Sequence, residues 1–187
     1  MDMLLYTMAI TSFFQVDVSH NTLVVLDIDE TILQFPEIHE KWWHRKHKYY
    51  SDLIGTHDHK TINSLAYSDW LNYVTETNPV HTDKTGLFDL FERIKKSNSH
   101  VIFLTARFDD TEELTYSHLK YLGISEIPVH FTSMGPKGVH LNKIIDDKYL
   151  HVENVVFVDD MDHNLHNVGT IVTKNVKRFK FVDERIK

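Results

Sequence analysis

Five short apolar runs, separated by segments of helical periodicity, organise this chain. The first, Thr22-Leu23-Val24-Val25-Leu26, is continuous rather than alternating, the pattern of a parallel strand covered on both faces. Val101-Ile102-Phe103-Leu104 and Val155-Val156-Phe157-Val158 repeat it. Ile127 to Thr132 reads as another strand, and Val176 to Val182 alternates in the manner of a strand at a sheet edge. Leu87, Leu90, Phe91 and Ile94 have the i, i+3, i+4, i+7 spacing of a helix packed on a sheet. Asp110 and Glu113 are spaced as a capping box and Gly123 follows Leu122, which predicts a helix over Thr111 to Leu122. Gly135-Pro136-Lys137-Gly138 makes a turn that sets Lys137 at the start of a helix carrying Leu141, Ile144, Ile145 and Tyr149.

From Ile32 to about His81 the pattern changes to aromatics, histidines and mixed charge, with no long apolar strand. Ile62, Leu65, Ala66, Trp70, Tyr73 and Val74 share one helical face, a second helix is expected over Glu37 to Asp52, and Asn78-Pro79 ends the segment. The order is thus strand, helical insert, helix, strand, helix, strand, helix, strand, helix, strand. That alternation implies an α/β fold, a three-layer Rossmann-like parallel sheet with helices on both faces. The boundaries expected are residues 1–34 and 82–187 for the core and 35–81 for a small helical cap overhanging the mouth of the site.

Composition narrows the picture. A chain of 187 residues with 42% apolar content has enough material for one good core. With no cysteine, disulfides and thiolate metal sites are excluded. A formal charge of -7 argues against a surface built for duplex nucleic acid, although it leaves room for a local basic groove. Residues 1–21 open on apolar side chains, but Asp2 precedes them and no basic segment accompanies them, so no signal peptide is expected. No run approaches the length of a membrane span, and a soluble, cytoplasmic chain without membrane partners is the expectation.

Candidate chemistry sits where the strands end. Asp27 and Asp29 follow the first strand, Thr105 the next, Lys137 opens a helix, and Asp159-Asp160 close a later strand. Two carboxylates crowded together are unfavourable unless a cation neutralises them or one keeps a proton, which suggests a Mg²⁺ site, acid/base chemistry, or both. Each residue alone has an ordinary reading: Thr105 as a strand-end hydroxyl, Lys137 as a solvated lysine, Asp159 to Asp162 as a helix cap. Open parallel sheets bind ligands outside the carboxyl ends of their strands, so the fold would gather all four clusters in one place. Thr31 is read as structural. His57-Asp58-His59 reads as a solvated loop rather than a metal site, and Trp42-Trp43 as packing of the insert rather than a stacking surface. Arg107 is poised between contacting a phosphate and pairing with a carboxylate.

In order and spacing, Asp27-Ile28-Asp29-Glu30-Thr31, Thr105, Lys137 and Asp159-Asp160 resemble the four motifs of the haloacid-dehalogenase-like (HAD) superfamily, a likeness that spans Leu23 to Asn164. The resemblance implies a phosphatase rather than a dehalogenase, because the second aspartate, Asp29, is present. It implies that Asp27 is a nucleophile forming an aspartyl phosphate and that Asp29 is the general acid and base. It also implies that Thr105 and Lys137 bind the phosphoryl group. Mg²⁺ would be held by the carboxylates of Asp27 and Asp160 and the backbone carbonyl of Asp29, with Asp159 and Asn164 behind them. The expected substrate is a small phosphomonoester, with a phosphorylated nucleic-acid end as a variant. The competing class is a non-catalytic receiver-like module that binds phosphate and Mg²⁺. Receivers, however, accept phosphate on a later strand than the one carrying their acidic pair.

Overall fold

In a computed structural model, residues 7–55, 58–124 and 126–183 are described. Six parallel strands form the main sheet: β1 (Thr7–Ile10), β2 (Thr22–Leu26), β5 (His100–Thr105), β6 (Val129–Phe131), β7 (Asn154–Asp159) and β8 (Asn175–Phe181). Their spatial order is β1-β8-β7-β2-β5-β6. β2 lies at the centre, with all five residues buried, which is why it reads as an unbroken apolar run. Its alternate residues serve opposite layers. Val24 and Leu26 face the layer of α3 (Lys84–Lys96) and α4 (Glu112–Tyr121), whereas Leu23 and Val25 face α5 (Lys137–Lys148) and α6 (Asp162–Ile171). The fold is therefore the three-layer Rossmann-like α/β sheet expected.

Strand order determines where a ligand would sit. From β2 the chain runs to β5 and β6 on one side, then returns to β7 and β8 on the other. The connections leaving β2 and β7 diverge, which opens a crevice beyond the carboxyl ends of those two strands. Asp27 directly follows β2, and Asp159 closes β7.

Three local expectations are revised. β8 is not an edge strand, because β1 pairs with it in parallel, Thr7 opposite Arg178 through Ile10 opposite Phe181. Asp110 is not a helix cap: Asp109–Thr111 form a 3-10 turn, and α4 starts at Glu112 with no side-chain cap bond from Thr111. Gly123 does end that helix, with φ of 75° and its N–H donated to the carbonyl of Lys120. The strand around residue 130 is also shorter than expected, spanning only Val129–Phe131.

The insert consists of α1 (Glu40–Ile54) and α2 (His59–Glu76), bracketed by the antiparallel pair β3 (Leu33–Gln34) and β4 (Val80–His81). Asp58 caps α2, accepting from the backbone N–H groups of Lys60 and Thr61, while His57 lies outside the described residues. Trp42, Trp70 and Val74 join the apolar cluster on the α3/α4 face of the sheet. The insert is thus packed onto the core rather than built round an apolar centre of its own. No helix among the described residues is long and apolar enough to cross a membrane. The apolar start of the chain, on which the absence of a signal peptide was read, lies partly outside the described residues.

Candidate functional site

β2 continues its pairing one residue past its last strand position, with the N–H of Asp27 donated to the carbonyl of Val158 at 2.9 Å. The chain then tightens. Glu30 adopts φ of 59°, Ile32 and Leu33 both donate to the carbonyl of Ile28, and Glu30 donates to the carbonyl of Leu33. The bridge between Asp29 and Leu33 is made by Ile28 and Glu30, which leaves the carbonyl of Asp29 out of it. Thr31 is wholly buried and its carbonyl accepts from the hydroxyl of Thr82 at 2.5 Å, in keeping with a structural role.

Lys137 joins two strand ends. Its ammonium, on a side chain that is 1% exposed, donates to Asp27 Oδ1 and, at 2.7 Å, to Asp159 Oδ2. Asp159 is further engaged by the N–H of Met161 at 2.8 Å and by Asn164 Nδ2 at 3.1 and 3.2 Å. With so many donors, Asp159 serves as a brace. Asp160 is half-buried, and the carboxylates of Asp27, Asp159 and Asp160 each offer an oxygen within 4.8 Å of the others.

The charge balance is uneven. Burial, only partly offset by Lys137 and reinforced by Asp159 and Asp29, pushes the Asp27 carboxyl up to about 7. Burial and then the charges of Asp27, Asp159 and Glu30 raise Asp160 well above the carboxylate range. Burial opposes the charge of Lys137, but Asp159 and Asp27 outweigh it and hold the amine protonated above the usual lysine range. One buried cation therefore faces three carboxylates, and the cluster lacks positive charge. An all-oxygen donor set of this kind fits a hard divalent cation, which would supply the missing charge.

Asp29 turns to a different partner. Arg107, 2% exposed, grips it in a fork, Nε to Oδ2 at 2.8 Å and Nη2 to Oδ1 at 2.7 Å. The remaining arm of the guanidinium reaches Thr115 Oγ1 at 3.0 Å and His118 Nδ1 at 3.3 Å, and the ring of Trp70 covers its face at 5.2 Å. Of the two readings open for Arg107, the ion pair is the one observed. Thr105 is buried at the end of β5, its hydroxyl accepting the N–H of Arg107 at 3.2 Å. The fold thus gathers Asp27, Lys137, Asp159 and Asp160 directly, and sets Asp29 and Thr105 beside them through Arg107.

His118 was not anticipated from the sequence. The available signal was a stripe along α4 and its C-cap, where Thr115, His118, Leu119 and Leu122 follow helical spacing, so that two polar residues occupy core-facing positions. Burial and then the charge of Arg107 push its pKa down to about 4. Such a histidine is neutral in the fold but titrates near 6.5 when unfolded, so the native state binds fewer protons between those values. Stability therefore rises with pH across that window and is lost as the pH falls through it. In urea titrations, wild type should lose about 2 kcal/mol more than His118→Asn between pH 7 and pH 5. Parallel pH profiles for the two proteins would contradict a buried neutral His118.

Fold and site together define an α/β protein of Rossmann-like, three-layer architecture with an acidic cluster and a buried lysine at the crevice of its parallel sheet. Residues 8–126 and 128–182 match the family model described as "Protein of unknown function (DUF2608)", and the chain belongs to that family. No curated protein matches it.

Proposed function

We propose that this protein is a Mg²⁺-dependent phosphatase of the HAD type, hydrolysing a small phosphomonoester through an aspartyl phosphate on Asp27. The observation that carries this reading is the meeting of Asp27, Lys137, Asp159 and Asp160 from three separate segments at the crevice between β2 and β7. An in-line phosphoryl transfer needs a nucleophile, a source of positive charge and hydrogen-bond donors around one point.

The carboxylates of Asp27 and Asp160 and the carbonyl of Asp29 are the candidate Mg²⁺ ligands, and the ion when bound would neutralise charge on the phosphoryl oxygens. Lys137 orients Asp27 and supplies a fixed positive charge beside it. Asp27 attacks phosphorus as the ester P–O bond breaks, and Asp29 gives the departing oxygen a proton carried on a carboxylate lone pair that the Arg107 fork leaves open. In the second half Asp29 takes a proton from water, whose oxygen displaces phosphate from Asp27 and restores the carboxylate. Thr105 has a hydroxyl hydrogen with which to meet a phosphoryl oxygen. Tyr67 and Trp70 of the insert pack against Phe108 and Arg107, which supports the insert as the element that selects among substrates.

The direct test is a screen of phosphorylated metabolites and nucleotide ends with Mg²⁺ and with EDTA. Hydrolysis that requires Mg²⁺ is expected; none on any substrate would defeat the reading. A finer prediction separates ligand from acid. Asp160→Asn should weaken Mg²⁺ binding at least about tenfold, because it turns an anionic ligand into a neutral amide. Asp29→Asn should keep Mg²⁺ affinity within about threefold while turnover falls about a hundredfold or more, since its ligand is a backbone carbonyl. Calorimetric titrations beside rate measurements would decide, and loss of Mg²⁺ binding in Asp29→Asn alone would reverse the two roles.

A further inference from the structure

Asp29 is held by a chain of contacts that does not stop at Arg107. Its side chain is about one-third exposed (31%), whereas the guanidinium that grips it is almost sealed from solvent. The acid is therefore within reach of a ligand on one side while its position is set from the protein interior. Arg107 Nη1 reaches His118 Nδ1, and His118 Nε2 lies 2.9 Å from the carbonyl of Val74. Val74 is in the last turn of α2, where carbonyls lack partners within the helix. A carbonyl only accepts, so Nε2 carries the hydrogen. Arginine only donates, so Nδ1 is the bare acceptor. Both bonds thus select one tautomer of a neutral ring, which Phe35 flanks edge-on at 5.2 Å.

α2 meets this chain a second time. Trp70, one turn before Val74 on the same helical face, covers the guanidinium at 5.2 Å, and Tyr67 packs on Phe108 at 4.9 Å. Lifting α2 would therefore strip Arg107 of its stacked ring and take from His118 the acceptor that sets its tautomer. We propose that Val74, His118 and Arg107 form a relay through which the seating of the helical insert sets the position of Asp29, with Arg107 as its positioning residue. The relay rests on the phosphatase reading for its consequence, because Asp29 is the acid and base there. Its geometry is independent of that reading. Arg107 keeps Asp29 in one orientation while α2 is seated, and an insert displaced by an entering or leaving substrate releases it.

Arg107→Lys removes the fork and the stacked plane while keeping the charge. Against the wild-type chain it should lower kcat at least about thirtyfold with KM and Mg²⁺ affinity each within about threefold, the pattern of a lost transition-state interaction. His118→Asn keeps an acceptor near Arg107 and gives up the donor to Val74; His118→Gln does the reverse. Each should cost about threefold to tenfold in kcat, and His118→Phe, lacking both, about as much as Arg107→Lys. The decisive arm is an Asp29→Asn background. There Arg107→Lys and His118→Phe should leave the residual rate unchanged, because they act only through Asp29. A further fall by the same factor as in wild type would overturn the relay and place Arg107 on the phosphate.

A readout without substrate keeps this distinct from the phosphatase reading. In ¹⁵N spectra of the full chain at neutral pH, His118 should be the neutral Nε2–H tautomer, and Asp29→Asn should shift its ring signals. If wild type hydrolyses no phosphomonoester but these spectra hold, the functional reading fails and the relay stands as a structural link. The other tautomer, or ring signals indifferent to Asp29→Asn, overturns the relay whatever the activity.

Discussion

Asp27→Asn is expected to lower Mg²⁺-dependent hydrolysis of an aryl phosphate by several orders of magnitude. The amide keeps the shape of the side chain but loses the anion that attacks phosphorus and forms one of the candidate cation ligands. The surroundings sharpen the effect, because Asp27 is nearly buried, takes a hydrogen bond from Lys137 and follows the central strand directly. Two of its neighbouring carboxylates are already engaged: Asp159 is braced by Lys137, Met161 and Asn164, and Asp29 is gripped by Arg107. Rates of purified wild type and variant on the same substrate provide the measurement, with folding checked by circular dichroism. Activity within tenfold of wild type would remove Asp27 as the nucleophile.

Lys137→Met should act on both stability and rate. Asp27 and Asp159 are 5% and 0% exposed, and Lys137 is the cation between them. Methionine fills much of the same volume but leaves two buried carboxylates uncompensated, which costs about 3 kcal/mol at pH 7.5. The sign with pH follows from linkage. Burial already raises the Asp27 carboxyl against the pull of Lys137; without the amine its folded pKa stands further above the unfolded one, so the native state binds more protons and the variant loses stability as pH rises. The deficit should therefore shrink toward pH 5 and shrink again when Mg²⁺ or Ca²⁺ is added at pH 7.5. Turnover should fall at least about a hundredfold, the scale seen when a fixed charge beside a transferring group is removed. Urea melts at the two pH values, with and without the divalent ion, give the test. A variant as stable as wild type at pH 7.5 would mean that the carboxylates do not depend on Lys137.

Legibility in the sequence tracked how local each feature is. β2, β5 and β7 stand out because central parallel strands are covered on both faces and so admit only apolar side chains. β1 did not stand out. Three of its four residues are exposed, and its partner β8 lies at the other end of the chain, so neither alternation nor composition marks it. The same omission made β8 read as an edge. At α4, Asp110 and Glu113 have the right spacing for a capping box, but the 3-10 turn over Asp109–Thr111 takes the place where the cap would form. Trp42 and Trp70 were legible as buried aromatics, while the core they would join was not, since that depends on how the insert folds back on the sheet.

The sequence by itself determined the alternation of strands and helices and the position of each polar cluster at a strand's end, because periodicity is a property of neighbouring residues. The tertiary structure alone decided which clusters meet. The order β8-β7-β2-β5 brings Asp27 beside Asp159 and Asp160, and draws Lys137 to Asp27 across 110 positions of chain. Packing of α2 on the core places Trp70 over Arg107, and Arg107 reaches Asp29 across 78 positions. No local pattern encodes such pairings, because a guanidinium buried without solvent takes whichever carboxylate the strand order brings within reach.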